Sequence, residues 1–222
     1  MGILDWFRQR PASLPIAVWL DDAARTRGLL AAVRDDLEQG RSVLLVGHFP
    51  AALLRSGEAL ADAGIAFSTK AKWTPADAEA LLRPGGDRVV AVLARALPEP
   101  AANAPRQGRP APRPDAAPVA LRLVDLHPLA AANDRVAAFA RALPTAVEAK
   151  AYVSFDEPLL SQFTRPWVQT MMGALGLGPD DSIEHPAVTR SLSKALRKIE
   201  RGSTGDVACD SVEEWLERNA PR

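Results

Sequence analysis

The chain has 222 residues, of which 47% are hydrophobic and 24% charged, and its 27 basic and 27 acidic side chains balance. This length can bury the core of one α/β domain with additions, or of two small domains. The zero net charge excludes a global attraction to nucleic acid or anionic lipid, although a local basic face is compatible with it. The one cysteine, Cys209, excludes an internal disulfide framework and suits a reducing cytoplasm. No apolar run approaches the roughly 18–20 residues that span a bilayer.

The first ten residues, MGILDWFRQR, combine apolar and basic side chains and predict one or two helical turns. They do not resemble a secretory signal, because the apolar part is short and interrupted by an acid. Such a segment fits either an anchor on a membrane surface or partner, or an arm packed on its own domain. The contact candidates of the first alternative are Ile3, Leu4, Trp6 and Phe7.

Strands and helices alternate from residue 15 to residue 97. Short apolar runs predict strands at 15–20, 41–50, 64–69 and the first part of 87–97. Amphipathic segments predict helices at 21–40, 51–63 and 74–82. This alternation is typical of parallel βαβ units, and it predicts an α/β fold.

The segment 98–118 interrupts the alternation. It is rich in proline and alanine and has no apolar period, so we predict an extended loop, either a solvated linker or a recognition segment. A strand at 119–126, a helix at 130–142 and a strand at 151–155 follow. A long helix then opens at Pro186, and a short acidic helix begins after Ser211 as its N-cap.

No motif for catalysis or cofactor binding stands out. A phosphate-binding loop needs a lysine after a glycine, and no lysine in this chain follows a glycine. Asp125 ends an apolar strand as a Walker-B acid would, but a helix-capping or loop role is the simpler interpretation. The three histidines, His48, His127 and His185, do not have metal-ligand spacing. Cys209 has no evident activating base. We therefore predict no metal and no catalytic residue.

Two blocks of sequence carry a recognisable order of motifs. The first runs from AVWLDD at residue 17 to AGIAF at residue 67. The second runs from AYVSFDEPLL at residue 151, through MMGALGLG, to SIEHPAVTR at 182–190 and the tail RKIE at 197–200. In order and spacing, both resemble the second RecA-like (helicase C-terminal-like) motor domain of the SecA preprotein translocase family. With the strands around them, they cover roughly 15–97 and 119–200.

The departures from that family concern nucleotide chemistry. SecA motors carry G-R-G-T-D after the strand that RVVAV matches, and here that stretch reads LARALP. The family also carries an L-R-G-R-x-G-R helix before Y-V-S, with arginines that face ATP. Counting back from Tyr152 without gaps puts those arginines on Ala137, Phe139 and Ala142, and the family's preceding histidine on His127. Two nearby arginines are the remaining candidates: Arg135 and Arg141.

The resemblance implies an α/β, RecA-like three-layer fold with a mostly parallel sheet and a C-terminal helical extension. It divides the chain into an N-terminal arm at 1–14, a motor-2-type domain at 15–165 that contains the Pro-rich loop, and an extension at 166–222 that resembles the start of the SecA scaffold helix.

The implied function is that of a non-catalytic, protein-binding, scaffold or regulatory module linked to protein export. Because the nucleotide motifs of the family are replaced, we expect no cofactor and no enzyme activity. The zero net charge and the few, scattered aromatic side chains predict no nucleic-acid partner. The protein's partner would be a secretion component or another motor-like protein. The alternative is one half of a split SecA-like ATPase that a separate phosphate-loop subunit completes. We expect a cytoplasmic protein, with peripheral contact at the inner membrane face left open.

Overall fold

The computed structural model describes residues 14–85, 88–99, 111, 113–161, 172 and 176–219. Within them lie six strands: β1 (Ile16–Trp19), β2 (Ser42–Gly47), β3 (Ser68–Lys70), β4 (Val89–Leu93), β5 (Val119–Leu123) and β6 (Val147–Ser154). The α-helices are α1 (Asp22–Glu38), α2 (Pro50–Asp62), α3 (Pro75–Leu82), α4 (Ala130–Ala142), α5 (Pro158–Ser161), α6 (Pro186–Gly202) and α7 (Val212–Asn219). A 3₁₀ turn, Ala94–Ala96, follows β4.

The six strands form one sheet in the order β1-β6-β5-β2-β4-β3, and every pair of neighbouring strands is parallel. One face packs against α1 and α2 through residues such as Leu29, Val33 and Leu60. The other face packs against α3, α4 and α6, with Leu81 and Leu196 in the core. This is the three-layer α/β architecture of RecA-like domains, with helices at the C-terminal end, and it confirms the predicted fold class.

The central strands are buried on both faces, which is why their sequences are continuously apolar. Every residue of β2 and of β5 is buried, including Arg122 in the middle of β5. Arg122 is tolerated there because it forms a bidentate pair with buried Asp36 of α1, at 2.7 and 2.8 Å, and a further bond to Glu148 of β6 at 2.9 Å. Its guanidinium also lies over the Tyr152 ring.

Two strands differ from the sequence prediction more than the others do. The strand predicted at 64–69 is confined to Ser68–Lys70, because the chain first completes the C-terminus of α2. Gly64 has a φ of +71°, and the Ile65 N–H donates to the Leu60 carbonyl, which is a Schellman ending. The strand predicted at 151–155 starts earlier, at Val147, because its first half pairs with β5. The sequence does not reveal this half, since it carries two polar side chains that form ion pairs, Glu148 and Lys150.

Helix α6 opens at Pro186 as predicted, and its apolar stripe faces the sheet. Leu192 and Leu196 are buried in the core, and Val188 and Ile199 pack against it. Just before this helix, Ile183 forms an antiparallel bridge with Val18 of β1. The C-terminal part of the chain therefore packs into the same core as the sheet.

Several predictions fall on residues outside the described ranges. The predicted domain boundary between residues 165 and 166 lies outside them. The N-terminal contact candidates also lie outside them: Ile3, Leu4, Trp6 and Phe7. Of the Pro-rich segment, only residues 98, 99, 111 and 113–118 are described. None of the helices in the described part of the chain is both long and apolar enough to cross a membrane.

Candidate functional site

A pocket of about 200 Å³ opens at the carboxyl edge of the sheet, beside the ends of β2, β5 and β6. Strand β2 continues into α2 on one face of the sheet, whereas β5 continues into α4 on the other face. The crevice between such strands is where open parallel sheets usually bind their ligands. The pocket therefore lies where a functional site of this fold is expected.

The carboxylate of Asp125 fills the bottom of this crevice. It accepts hydrogen bonds from the backbone N–H groups of His48, at 2.7 Å, and Phe49, at 3.0 Å. Phe49 is the N-cap of α2 and provides no side-chain cap of its own. Asp125 lies in the loop after β5 and holds the N-cap residue of α2 and the residue before it, which agrees with the expected helix-capping or loop role. The same N–H groups are no longer available to an incoming anion.

A buried arginine ties α1 to the end of β5 beside the pocket. Arg25 Nη1 donates to the Val124 carbonyl at 3.0 Å, and Arg25 Nε lies 3.3 Å from Asp22 Oδ1. The Ser154 hydroxyl donates to the same Asp22 oxygen at 2.6 Å, and the Ser154 N–H donates to Glu157 at 3.2 Å. The ends of β5 and β6 are therefore joined to the first turn of α1 by one polar network.

Two carboxylates of this site have raised pKa values. Burial raises the pKa of Asp125 to about 6, against the opposing effect of its two backbone hydrogen bonds. Although Glu157 keeps some exposure to the pocket, protein surrounds its carboxylate, and burial raises its pKa to about 8. The nearby charge of Asp125 adds to this rise, while Arg25 opposes it. Groups with pKa values displaced by burial and by a like charge are typical of functional sites, and also of structural networks.

The charge of the pocket lining is mostly negative. Among the lining residues, Arg55 is the one basic side chain beside five carboxyl groups: Asp22, Asp125, Asp156, Glu157 and Glu213. Of these, Glu157 is mostly protonated at neutral pH because its pKa is about 8. A polyphosphate carries several negative charges, so this lining repels it. The same lining would attract a cationic group.

An aromatic and imidazole cluster lies next to this pocket and fixes α7 on the domain. His127 stacks on Phe49, with ring centroids 5.3 Å apart, and meets Trp215 edge-on at 5.5 Å. The Trp215 indole N–H donates to Asp206 at 2.8 Å. Trp215 is almost fully buried and anchors α7 by packing.

Burial holds two neighbouring histidines, His48 and His127, in the neutral form. Burial lowers the pKa of His48 to about 3 and that of His127 to about 4. At His127, the charge of Asp206 partly offsets this lowering. His48 Nε2 is buried without a hydrogen-bond partner among the described residues. Cys209 is buried, and burial raises the pKa of its thiol. No three His, Cys, Asp or Glu side chains in the described part of the chain are placed to hold a metal ion.

The positions aligned with the family's arginines occupy different surroundings on α4. Ala137 and Phe139 are buried in the core, where Phe139 meets Trp73 edge-on at 5.9 Å. Ala142 is exposed at the end of the helix. Two of the three positions therefore face the sheet, where an arginine would be buried without solvent.

The two remaining arginine candidates are on the exposed side of α4. Arg135 is 3.5 Å from Glu99, and its charge contributes to the lowered pKa values of His48 and His127. It is therefore close to the carboxyl edge. Arg141 lies two turns further along, at the other end of the helix. The fold does not bring these two arginines to one point.

Sequence reasoning missed the residues of the polar network, among them Arg25 and Glu157. Arg25 sits in a helical segment with many charges, and nothing in the pattern distinguishes it from solvated neighbours such as Arg27. Its only signal is position: it is one turn after the acidic N-terminus of α1 and on the same side as Leu29. Glu157 follows the last strand directly, a place that a search of strand ends would have included.

No family model matches the chain. A segment of 49 residues is 45% identical to the protein translocase subunit SecA of Dechloromonas aromatica (strain RCB). Over the same length, it is 43% identical to the SecA subunit of Methylococcus capsulatus and 41% identical to that of Thermus thermophilus. The matched segment is 22% of this chain and 5% of each of those proteins. The chain therefore contains a SecA-related region, and it spans a small part of the relatives' length.

Proposed function

We propose that this protein is a non-catalytic relative of the second motor domain of SecA that works by binding another protein. It would act as a scaffold or regulatory module linked to protein export, with a secretion component or another motor-like protein as its partner. The similarity to SecA subunits supports the link to export, and the RecA-like architecture supports the relation to a motor domain.

One observation carries the non-catalytic part of the proposal. At the carboxyl edge, the Asp125 carboxylate already accepts hydrogen bonds from the backbone N–H groups of His48 and Phe49, the two residues just before α2. Even with Glu157 protonated at neutral pH, the carboxylates that line the pocket outnumber its one basic side chain, Arg55, and would repel a triphosphate. Where a motor domain would bind a nucleotide with cationic groups, this chain presents mostly carboxylates.

Isothermal titration with Mg²⁺-ATP and with Mg²⁺-ADP tests this proposal directly. We expect no binding heat in the micromolar range for either nucleotide, because neither a phosphate loop nor a cationic lining is present in the described residues. Binding with a micromolar dissociation constant would overturn the assignment. A protein that binds ATP under the same conditions serves as the positive control.

The second candidate is one half of a split ATPase that a separate phosphate-loop subunit completes. The exposed position of Arg135 near the carboxyl edge favours it, since an arginine there could reach nucleotide held by another subunit. In that case Arg135→Ala would lower the ATP turnover of the two-chain mixture by at least about tenfold, whereas Arg83→Ala, an exposed position after α3, would leave it unchanged. No increase in turnover on mixing would exclude this candidate.

A further inference from the structure

The basic residues of α6 are arranged in one straight line. Arg190, Lys194, Arg197 and Arg201 follow the spacing i, i+4, i+7, i+11, so at 3.6 residues per turn all four fall within about 60° of one another around the helix. The line is about 16 Å long, from a rise of about 1.5 Å per residue. Lys198 borders it on one side. We call these five residues the α6 basic stripe.

The stripe is opposite the apolar side of the same helix. Leu192 and Leu196 are buried in the core, and Ile199 packs against it, whereas all five basic residues are exposed. The helix is thus held rigidly by its apolar side, and the stripe points away from the domain. A rigid line of charges loses less conformational entropy on binding than charges on a mobile loop.

The cations of the stripe differ from most of the other basic residues. Outside α6, nine basic side chains form ion pairs with carboxylates within the described ranges: Arg25, Arg27, Arg41, Lys70, Arg113, Arg122, Arg135, Lys150 and Arg218. None of the five residues of the stripe forms such a pair with a described carboxylate. Asp134 on α4 is close enough to sense Arg197 without pairing with it. In a chain of zero net charge, this concentrates unpaired positive charge on one helix.

The structure favours a protein partner over a membrane or a nucleic acid. An amphipathic helix binds lipid by inserting its apolar side, and here that side is already in the core. Glu200 and Asp134 border the stripe, so a broad anionic plane would meet carboxylates beside a single line of cations. A line of carboxylates at helical spacing on another protein would meet the cations alone.

We propose that the α6 basic stripe is a docking surface for an acidic protein segment, with carboxylates spaced along one side of a helix. The proposal rests on the protein-binding role above and names the surface and the chemistry of the partner. Each contact is an exposed ion pair and weak by itself, so affinity would come from several pairs in register and would fall with salt.

The test uses a synthetic, fluorescein-labelled, alanine-based helical peptide with four glutamates at the spacing i, i+4, i+7, i+11. Its binding to the full chain is followed by fluorescence anisotropy at about 0.05 M and about 0.15 M salt. The comparison peptide has the same composition, with its glutamates distributed around the helix. We expect tighter binding of the aligned peptide, weakened at higher salt.

A matched pair of triple variants separates the stripe from total charge. Arg190→Gln, Lys194→Gln and Arg197→Gln remove three cations of the stripe, and glutamine has nearly the same helix propensity. The control, Lys72→Gln, Arg83→Gln and Arg95→Gln, removes two arginines and one lysine from exposed positions elsewhere. We expect binding of the aligned peptide to weaken by about tenfold in the first variant and to change less than about twofold in the second.

Four outcomes would overturn the proposal: equal weakening in the two variants, equal binding of the two peptides, no binding, or stronger binding to phosphatidylglycerol vesicles or duplex DNA than to the aligned peptide. Far-UV circular dichroism of both variants checks that the helices are intact. Failure here is distinct from failure of the proposed function, because nucleotide binding by the wild-type chain decides that question in a separate titration.

Discussion

Glu157 lies at the carboxyl edge, and the fold strongly disfavours its negative charge. Its carboxylate is surrounded by protein near Asp125 and Asp22, and burial raises its pKa to about 8 from an ordinary value of 4.5. Arg25, the buried cation of the same network, reduces the cost of ionisation without removing it. The folded protein therefore binds the Glu157 proton more tightly than the unfolded chain does.

This raised pKa predicts a pH-dependent free energy of unfolding. The contribution of Glu157 is fully present below pH 4.5 and is lost as the pH rises through about 8. We expect the wild-type protein to lose stability between about pH 6.5 and 8.5, and Glu157→Gln to lose much less over that range. Urea unfolding at several pH values measures the difference.

The control for this prediction is Glu213→Gln, which changes an exposed carboxylate on the same pocket. It should follow the wild-type pH dependence. A wild-type protein whose stability is unchanged over this interval would contradict the raised pKa. Below pH 6.5 the buried histidines act in the opposite sense, because their lowered pKa values make neutral imidazoles part of the folded state.

At the scale of elements, α1 is fixed to the sheet by a buried ion pair as well as by apolar packing. Arg122 in β5 and Asp36 in α1 are 3% and 1% exposed, and two hydrogen bonds join them. Glu148 of β6 and Arg41 extend the pair to the amino edge. A buried pair of this kind adds little net stability when complete, but the loss of one partner leaves an unpaired buried charge.

We expect Asp36→Ala to lower the free energy of unfolding by about 3–5 kcal/mol, because Arg122 then stays buried without its bidentate partner. Asp35→Ala is the matched control. It removes the same charge one position earlier, from the exposed side of α1, and should change stability by less than about 0.5 kcal/mol. Denaturant unfolding of the three proteins measures both effects, and similar values for the two variants would contradict a buried network.

At the scale of the whole molecule, the C-terminal helices and the sheet share one core. Leu192 and Leu196 of α6 belong to the same cluster as β-strand residues such as Leu121, and Ile183 bridges to β1. Helix α7 is held against α2 and the β5–α4 turn by the cluster of Phe49, His127 and Trp215. A shared core favours unfolding in one cooperative step.

This predicts that far-UV circular dichroism and tryptophan fluorescence report a single, coincident unfolding transition. Leu196→Ala should shift both signals together, with a loss of about 2–5 kcal/mol from the cavity it leaves in the core. Lys194→Ala, on the exposed side of the same helix, should change stability by less than about 0.5 kcal/mol. A transition that separates into two, with only one affected by Leu196→Ala, would show that the C-terminal helices form an independent unit.

The sequence alone predicts most of the fold because the signals are local. Helices α4 and α6 begin where the sequence places them, since apolar period, Pro186 and strand-to-helix order are all read within a few residues. The first half of β6 was missed because Glu148 and Lys150 look solvated, although both form ion pairs with other parts of the chain. The sequence does not show that Asp125, Arg25 and Glu157 form one site, because these residues are far apart along the chain.

What the sequence determines by itself is most of the elements, the α/β class and the resemblance of two blocks to SecA, because periodicity, turn residues and motif spacing are properties of neighbouring residues. The tertiary structure decides which charges are paired. It buries Arg122 on Asp36, places Asp125 on the N–H groups of His48 and Phe49, and gives the α6 basic stripe no carboxylate partner among the described residues. Those outcomes depend on which residues the fold brings together. For the buried groups, the low dielectric of the interior increases the energy of each electrostatic interaction.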